Sequence, residues 1–121
     1  MEVKIDTKEI LHVITVEESK LAANMTEEIR NSLMVFLTLP TKNVVLNFEN
    51  VDEIEHNAAV TLLNIQQAFY DASKSMVFCN MKNDVERFFE ELGLVKDLNV
   101  TPTVTEACAI VQMEEIEREF L

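Results

Sequence analysis

A chain of 121 residues falls within the range of one domain and can bury enough surface for a core without disulfide or metal staples. Its formal net charge of −12, from 22 acidic and 10 basic residues, opposes the phosphate backbone of nucleic acids and the surface of anionic membranes. No stretch reaches the ~18 uninterrupted apolar residues of a bilayer span, and Met1-Glu2-Val3-Lys4 lacks a secretory pattern and reads as a mature start. Cys79 and Cys108 sit far apart in apolar runs, as buried, reduced, inert thiols do, which suits a cytoplasmic address. The acidic excess reads as a solvated face, with a docking surface for a basic partner as the alternative.

In chain order, Val3-Lys4-Ile5-Asp6 alternates apolar and polar as a half-buried strand does, and Ile10 to Val16 reads as its hairpin partner. From Asn24 the pattern turns helical through Met25, Ile29, Leu33 and Phe36-Leu37, with Asn24 and Glu27 in capping-box spacing. Pro40 ends that segment, because proline bars the residue before it from the helical region. Asn43 to Phe48 is short, β-branched and nearly all apolar, the signature of a central strand.

A helix is expected from about Asn57 to Ala72, with Ala59, Val60 and Leu63 on one side and Leu62, Ile65 and Phe69 widening the stripe. Ser75 to Cys79 reads as a second buried strand. Asn83 with Glu86 repeats the capping-box spacing ahead of a helix whose buried face is Val85, Phe88, Phe89 and Leu92. The chain's single glycine, Gly93, stands where that helix must end. A brief strand at Asp97 to Val100 follows, then a helix capped by Thr103 and Glu106 and carrying Ala107, Ile110 and Val111.

This alternation implies an α/β domain: an N-terminal β-hairpin, then a mixed, mainly parallel sheet of about five strands with about four helices, joined by right-handed crossovers. One domain over residues 1–121 accounts for the chain. Met113 to Leu121 either extends the last helix with an apolar edge of Met113, Ile116, Phe120 and Leu121, or frays; an ordered extension could pair with a second copy or a partner. The remaining methionines and phenylalanines read as core packing.

Three stretches carry a family likeness. Val44 to Val51 resembles the central strand of STAS domains, the fold of bacterial anti-sigma-factor antagonists. Val51-Asp52-Glu53-Ile54-Glu55-His56-Asn57-Ala58 occupies the place of that family's signature loop. Met76 to Asn80, Val85 to Leu92, Gly93-Leu94 and Thr103 to Ala107 are similar to its closing strand, helix, turn and helix start. The resemblance implies a protein-interaction module that binds an anti-sigma factor of the histidine-kinase-like ATPase type. It also implies a docking loop of Asp52, Glu53, Glu55, His56, Asn57 and Ala58.

The family loop reads Asp-Ser-Ser-Gly or Asp-Thr-Ser-Gly, whereas here Glu55, His56, Asn57 and Ala58 stand in those places. With Asn57 at the position of the family's phosphorylated serine, no phosphorylation is expected in the loop; Thr61, one turn into the helix, is the nearest hydroxyl.

Blander readings stand beside these. His56 fits a turn or cap residue, and its only fellow, His12, lies in a strand, so no metal-ligand spacing exists. Asn57 is most simply the N-cap of its helix. Asp52, Glu53 and Glu55 lack the alternating ligand pattern of a calcium loop, and one glycine leaves none for a phosphate-binding loop or nucleophile elbow. No cofactor, metal or catalytic group is therefore expected. A STAS-type cytosolic subunit of a transporter or lipid-trafficking complex is the runner-up function. A small-ligand protein or enzyme using Glu55 and His56 stands third.

Overall fold

The central strand is apolar on both sides because both sides are covered. The computed structural model describes residues 1–40, 43–93 and 98–120. Strands β1 (Val3–Thr7), β2 (Leu11–Val16), β4 (Asn43–Asn47), β6 (Met76–Cys79) and β7 (Val100–Thr101) form one sheet in the order β1-β2-β4-β6-β7. β1 runs antiparallel to β2, and the remaining neighbours are parallel. Helices α1 (Thr26–Leu33), α2 (His56–Asp71), α3 (Asn83–Glu91) and α4 (Val104–Glu119) complete the α/β architecture read from the sequence.

Strand alternation divides the core in two. Ile14, Val44, Leu46, Phe48, Met76 and Phe78 point to one face and pack with Ile29 and Leu33 of α1, Leu62, Ile65 and Phe69 of α2, and Val85 and Phe89 of α3. Leu11, Val13, Val45, Val77 and Cys79 point to the other face, where Ala107 and Val111 of α4 cover them. Among the described residues one helix alone therefore shields the second face.

Several local expectations shift. β1 is an edge strand and mostly exposed rather than half-buried, with Ile5 at 49%. α2 turns its buried face to Ala58, Ala59, Leu62, Ile65 and Phe69, leaving Val60 and Leu63 only half-buried. In α3, Phe88 and Leu92 are likewise half-buried. The first helical segment is broken into a 3-10 turn (Ala23–Met25), α1, and a second 3-10 turn (Met34–Thr38).

Asn24 sits inside the first of those turns and caps nothing; the Ala22 N–H donates to the Met25 sulfur at 3.3 Å instead. α3 starts at its expected cap: Asn83 is its first residue, and Lys82 holds the cap position without a side-chain bond. Thr103 does cap α4, its Oγ1 accepting from Glu106 N–H at 3.2 Å. Gly93 follows the C-cap of α3 at φ +71°, a conformation that costs glycine little. The strand expected from Asp97 is the two-residue β7, and Asp97 lies outside the described residues.

The C-terminal tail is helical through Glu119 because its inner side is pinned by polar contacts. Arg118 donates to Ser75 Oγ at 2.8 Å and to Asn43 Oδ1 at 3.2 Å, and Asn43 Nδ2 donates to Glu115 Oε1 at 2.8 Å. One turn back, the Tyr70 hydroxyl donates to Glu114 Oε1 at 2.8 Å and accepts from Asn99 Nδ2 at 2.7 Å. Burial, then the Glu114 carboxylate, push the Tyr70 phenol up to about 12.

Both cysteines are free thiols, with Cys79 buried and Cys108 half-buried. Burial pushes the Cys79 thiol up to about 12 and raises that of Cys108 as well. At pH 8 iodoacetamide should modify Cys108 ahead of Cys79 in the native protein, read by peptide mass spectrometry; equal native rates would contradict the placement. Because the folded-state values of Tyr70 and Cys79 lie above their ordinary 10.0 and 9.0, their stabilising contribution is complete below pH 9 and is lost as pH rises towards 12.

Candidate functional site

At the carboxyl ends of the parallel strands three connections gather, the usual place for a functional edge in such sheets. They follow β2, β4 and β6. Asn47 at the end of β4 ties them together: its Oδ1 accepts from Glu49 N–H at 3.2 Å and from Asn80 Nδ2 at 3.0 Å. Its Nδ2 donates to Thr15 Oγ1 at 3.3 Å and Glu49 Oε1 at 3.2 Å. Asn80 bends the chain there at φ 55°, a left-handed conformation that asparagine tolerates better than most residues.

The Asp52–Ala58 segment is anchored from beneath. After the turn in which Val51 N–H donates to Phe48 O at 3.0 Å, Glu53–Ile54 (β5) pairs in parallel with Lys20–Leu21 (β3). Ser19 O accepts from both Asp52 N–H at 2.7 Å and Glu53 N–H at 3.1 Å, and Leu21 O accepts from Glu55 N–H at 2.9 Å. Val51, Ile54 and Leu21 bury their side chains below this ladder. The result is a fixed ridge rather than a loose loop.

Glu55 is the N-cap of α2, in extended conformation, and Asn57 is the second residue of the helix rather than its cap. The reason is visible in the Glu55 side chain. It caps nothing; its Oε1 accepts from Ala23 N–H at 2.9 Å, joining the ridge to the 3-10 turn. That occupied carboxylate and the exposed His56 beside it offer no enclosed reaction site. Among the described residues no three His, Cys, Asp or Glu side chains group closely enough to hold a metal ion.

Of the six residues read as a docking loop, Asp52, Glu53, Glu55, His56 and Asn57 are exposed. Ala58 is fully buried and supports the ridge from inside, so its side chain is not part of the surface. Thr61 is only 3% exposed, and its hydroxyl donates to Asn57 O at 2.8 Å. A kinase would have to unwind the first turn to reach it.

Sequence reasoning missed the residues that complete the edge. Lys82, from the start of α3, forms an ion pair with Asp52. Asp84, Val85 and Phe88 line a shallow cleft with Asp52, Glu53 and Ile54. No local pattern marks them, because the crossover helix α2 separates the two segments in sequence. Among the described residues the edge is acidic overall, with Asp52, Glu53, Glu55 and Asp84 against Lys82 and, beside Glu53, Lys20. Such a surface favours a partner with basic groups at its rim.

The family model for the STAS domain matches residues 4–107. Among solved structures, the chain is similar to an anti-sigma factor antagonist from Mycobacterium paratuberculosis, with a TM-score of 0.79 and 12% identity over 92% of this chain and 93% of the other. It is also similar to RsbS of Moorella thermoacetica, with a TM-score of 0.77 and 15% identity over 98% and 99%. A murine anion transporter, Solute Carrier 26 family member A9, matches with a TM-score of 0.69 and 17% identity over 86% of this chain but only 18% of its own. Among curated proteins none matches the chain.

Proposed function

This chain belongs to the STAS domain family, and we propose that it is a non-enzymatic, cytoplasmic interaction module that antagonises an anti-sigma factor of the histidine-kinase-like ATPase type. The observation that supports this most is the exposed ridge of Asp52, Glu53, Glu55, His56 and Asn57. Its sequence resembles the family's signature loop in position, and the β3–β5 pairing anchors it to the rest of the fold. A preformed ridge docks with little ordering cost, as a partner-binding edge requires.

Binding at this ridge is constitutive in our reading. Asn57 has no hydroxyl, and the Thr61 hydroxyl is buried and hydrogen-bonded. Charge added by phosphorylation therefore has no ready attachment point in this segment.

The test begins with affinity capture of the tagged protein from its own cells, followed by calorimetric titration of the ATPase-type protein recovered. Asn57→Lys adds a positive charge at an exposed position of the acidic ridge and should weaken binding by about tenfold or more. Its melting temperature should hold nearly steady, since the substitution removes no buried contact. Unchanged affinity for such a partner would remove the ridge from the interface. The similarity to the transporter's domain supports one rival, a STAS subunit of a membrane complex. No helix among the described residues is long and apolar enough to cross a membrane, and recovery of a permease with the protein would decide for that role.

A further inference from the structure

The outward side of α4 carries an apolar seam that none of the described residues covers. Ala109, Met113, Ile116 and Phe120 follow one another at steps of four, three and four residues, the a/d spacing of a coiled coil. Met113 is 59% exposed, Ile116 55% and Phe120 82%, whereas Ala107 and Val111 on the opposite side are fully buried against the sheet. The seam is not a frayed end. Glu114, Glu115 and Arg118 fasten the inner side of the same turns to Tyr70, Asn43 and Ser75, so the apolar side chains are held outward on a rigid helix.

Charge selects what fits there. Glu106, Glu117 and Glu119 flank the seam and are exposed. Arg118, the only cation of α4, is turned towards Ser75 and Asn43 and neutralises none of them. A second copy would bring another acidic flank and no cation, on a molecule already at −12.

We propose that the outer face of α4 is a docking seam for an amphipathic helix of another protein, with apolar residues at coiled-coil spacing and Lys or Arg on both flanks. Such a helix would meet the seam by the helix-to-helix packing used in coiled coils, its cations facing Glu117 and Glu119. This seam lies on the sheet face opposite α2, so it is separate from the Asp52–Asn57 ridge and independent of the function assigned to it. Both surfaces can be occupied together.

A three-heptad synthetic helix with leucine at the seam positions and lysine on both flanks is the probe, titrated into the full chain by fluorescence anisotropy. A lysine-flanked control with serine at the seam positions should bind about tenfold more weakly or worse. Ile116→Asp and Met113→Asp should each weaken the leucine probe by about tenfold while leaving the melting temperature nearly unchanged. The sign is diagnostic, because added aspartate would tighten a purely electrostatic contact. The proposal is overturned by no binding of the leucine probe, equal binding of the serine control, or affinity unmoved by Ile116→Asp. A dimer of the protein alone in sedimentation velocity that Ile116→Asp dissolves also overturns it, and gives the seam to a second copy.

Discussion

Phe78→Ala should cost about 3–5 kcal/mol of stability, the usual range for deleting a buried ring from a packed core. Phe78 is fully buried at the centre of the larger core, on the strand that parallel pairing places beside β4. Its ring meets Phe48 edge-on, with centroids 5.5 Å apart and planes at 81°, an arrangement that adds to simple burial. Phe78 stands on β6, and Phe48 follows β4 directly with its N–H donating to Cys79 O at 3.0 Å, so the walls cannot collapse into the void. Urea denaturation should show a lower midpoint at unchanged slope. A loss below about 2 kcal/mol would mean that the helices on this face close the cavity.

Asn43→Ala should cost about 3 kcal/mol, although it removes only a small polar group, because a buried donor or acceptor left without its partner carries its full desolvation penalty. Asn43 is 2% exposed. Its amide donates to Ile10 O at 2.9 Å and Glu115 Oε1 at 2.8 Å, and its oxygen accepts from Ser75 N–H at 2.8 Å as well as from Arg118. Alanine strands the buried Ser75 N–H and loosens the C-terminal half of α4. Far-UV dichroism of the native state should lose helix signal before the main transition. Asn50→Ala, on an exposed residue whose one side-chain bond reaches Glu17 at 3.3 Å, is the control and should stay within about 0.5 kcal/mol. Equal effects at the two positions would show that the Asn43 network does not hold the helix.

These two residues also mark the boundary of what sequence reading reaches. Phe78 was legible: Met76-Val77-Phe78-Cys79 is an unbroken apolar run, and such runs are buried on both faces in a parallel sheet. Gly93 and Thr103 were legible for the same kind of reason, since a helix end constrains residue type locally. The partners of Asn43 were not, because Arg118 lies 75 positions away and no periodicity links them. β3 and β5 escaped notice because two residues are too few for alternation to register, yet their ladder is what stiffens the candidate ridge.

The Asp52–Ala58 connection was legible as a segment, whereas its exposed face was not. Its place followed from the strand before it and the helix after it. Which of its side chains face out was decided by where α2 begins, at His56, while the Glu55 carboxylate accepts from Ala23 N–H across a long separation in sequence. Hence Ala58, read as part of the loop, is a core residue, and Asn57, read as a cap, lies one step inside the helix.

The division of the core has a consequence for synthesis on the ribosome. The β1–β2 hairpin can form as soon as it emerges, but each parallel neighbour must wait for its crossover: Leu11 for Asn43, Val44 for Met76, Phe78 for Val100. The helices α1, α2 and α3 then arrive with the strands whose first face they cover. The second face, with Leu11, Val13, Val45 and Val77, stays bare until α4 has been made, and α4 follows every strand. Each nascent chain therefore passes through a stage in which a nearly complete sheet shows one apolar side to the cell, the kind of surface that draws aggregation or a chaperone.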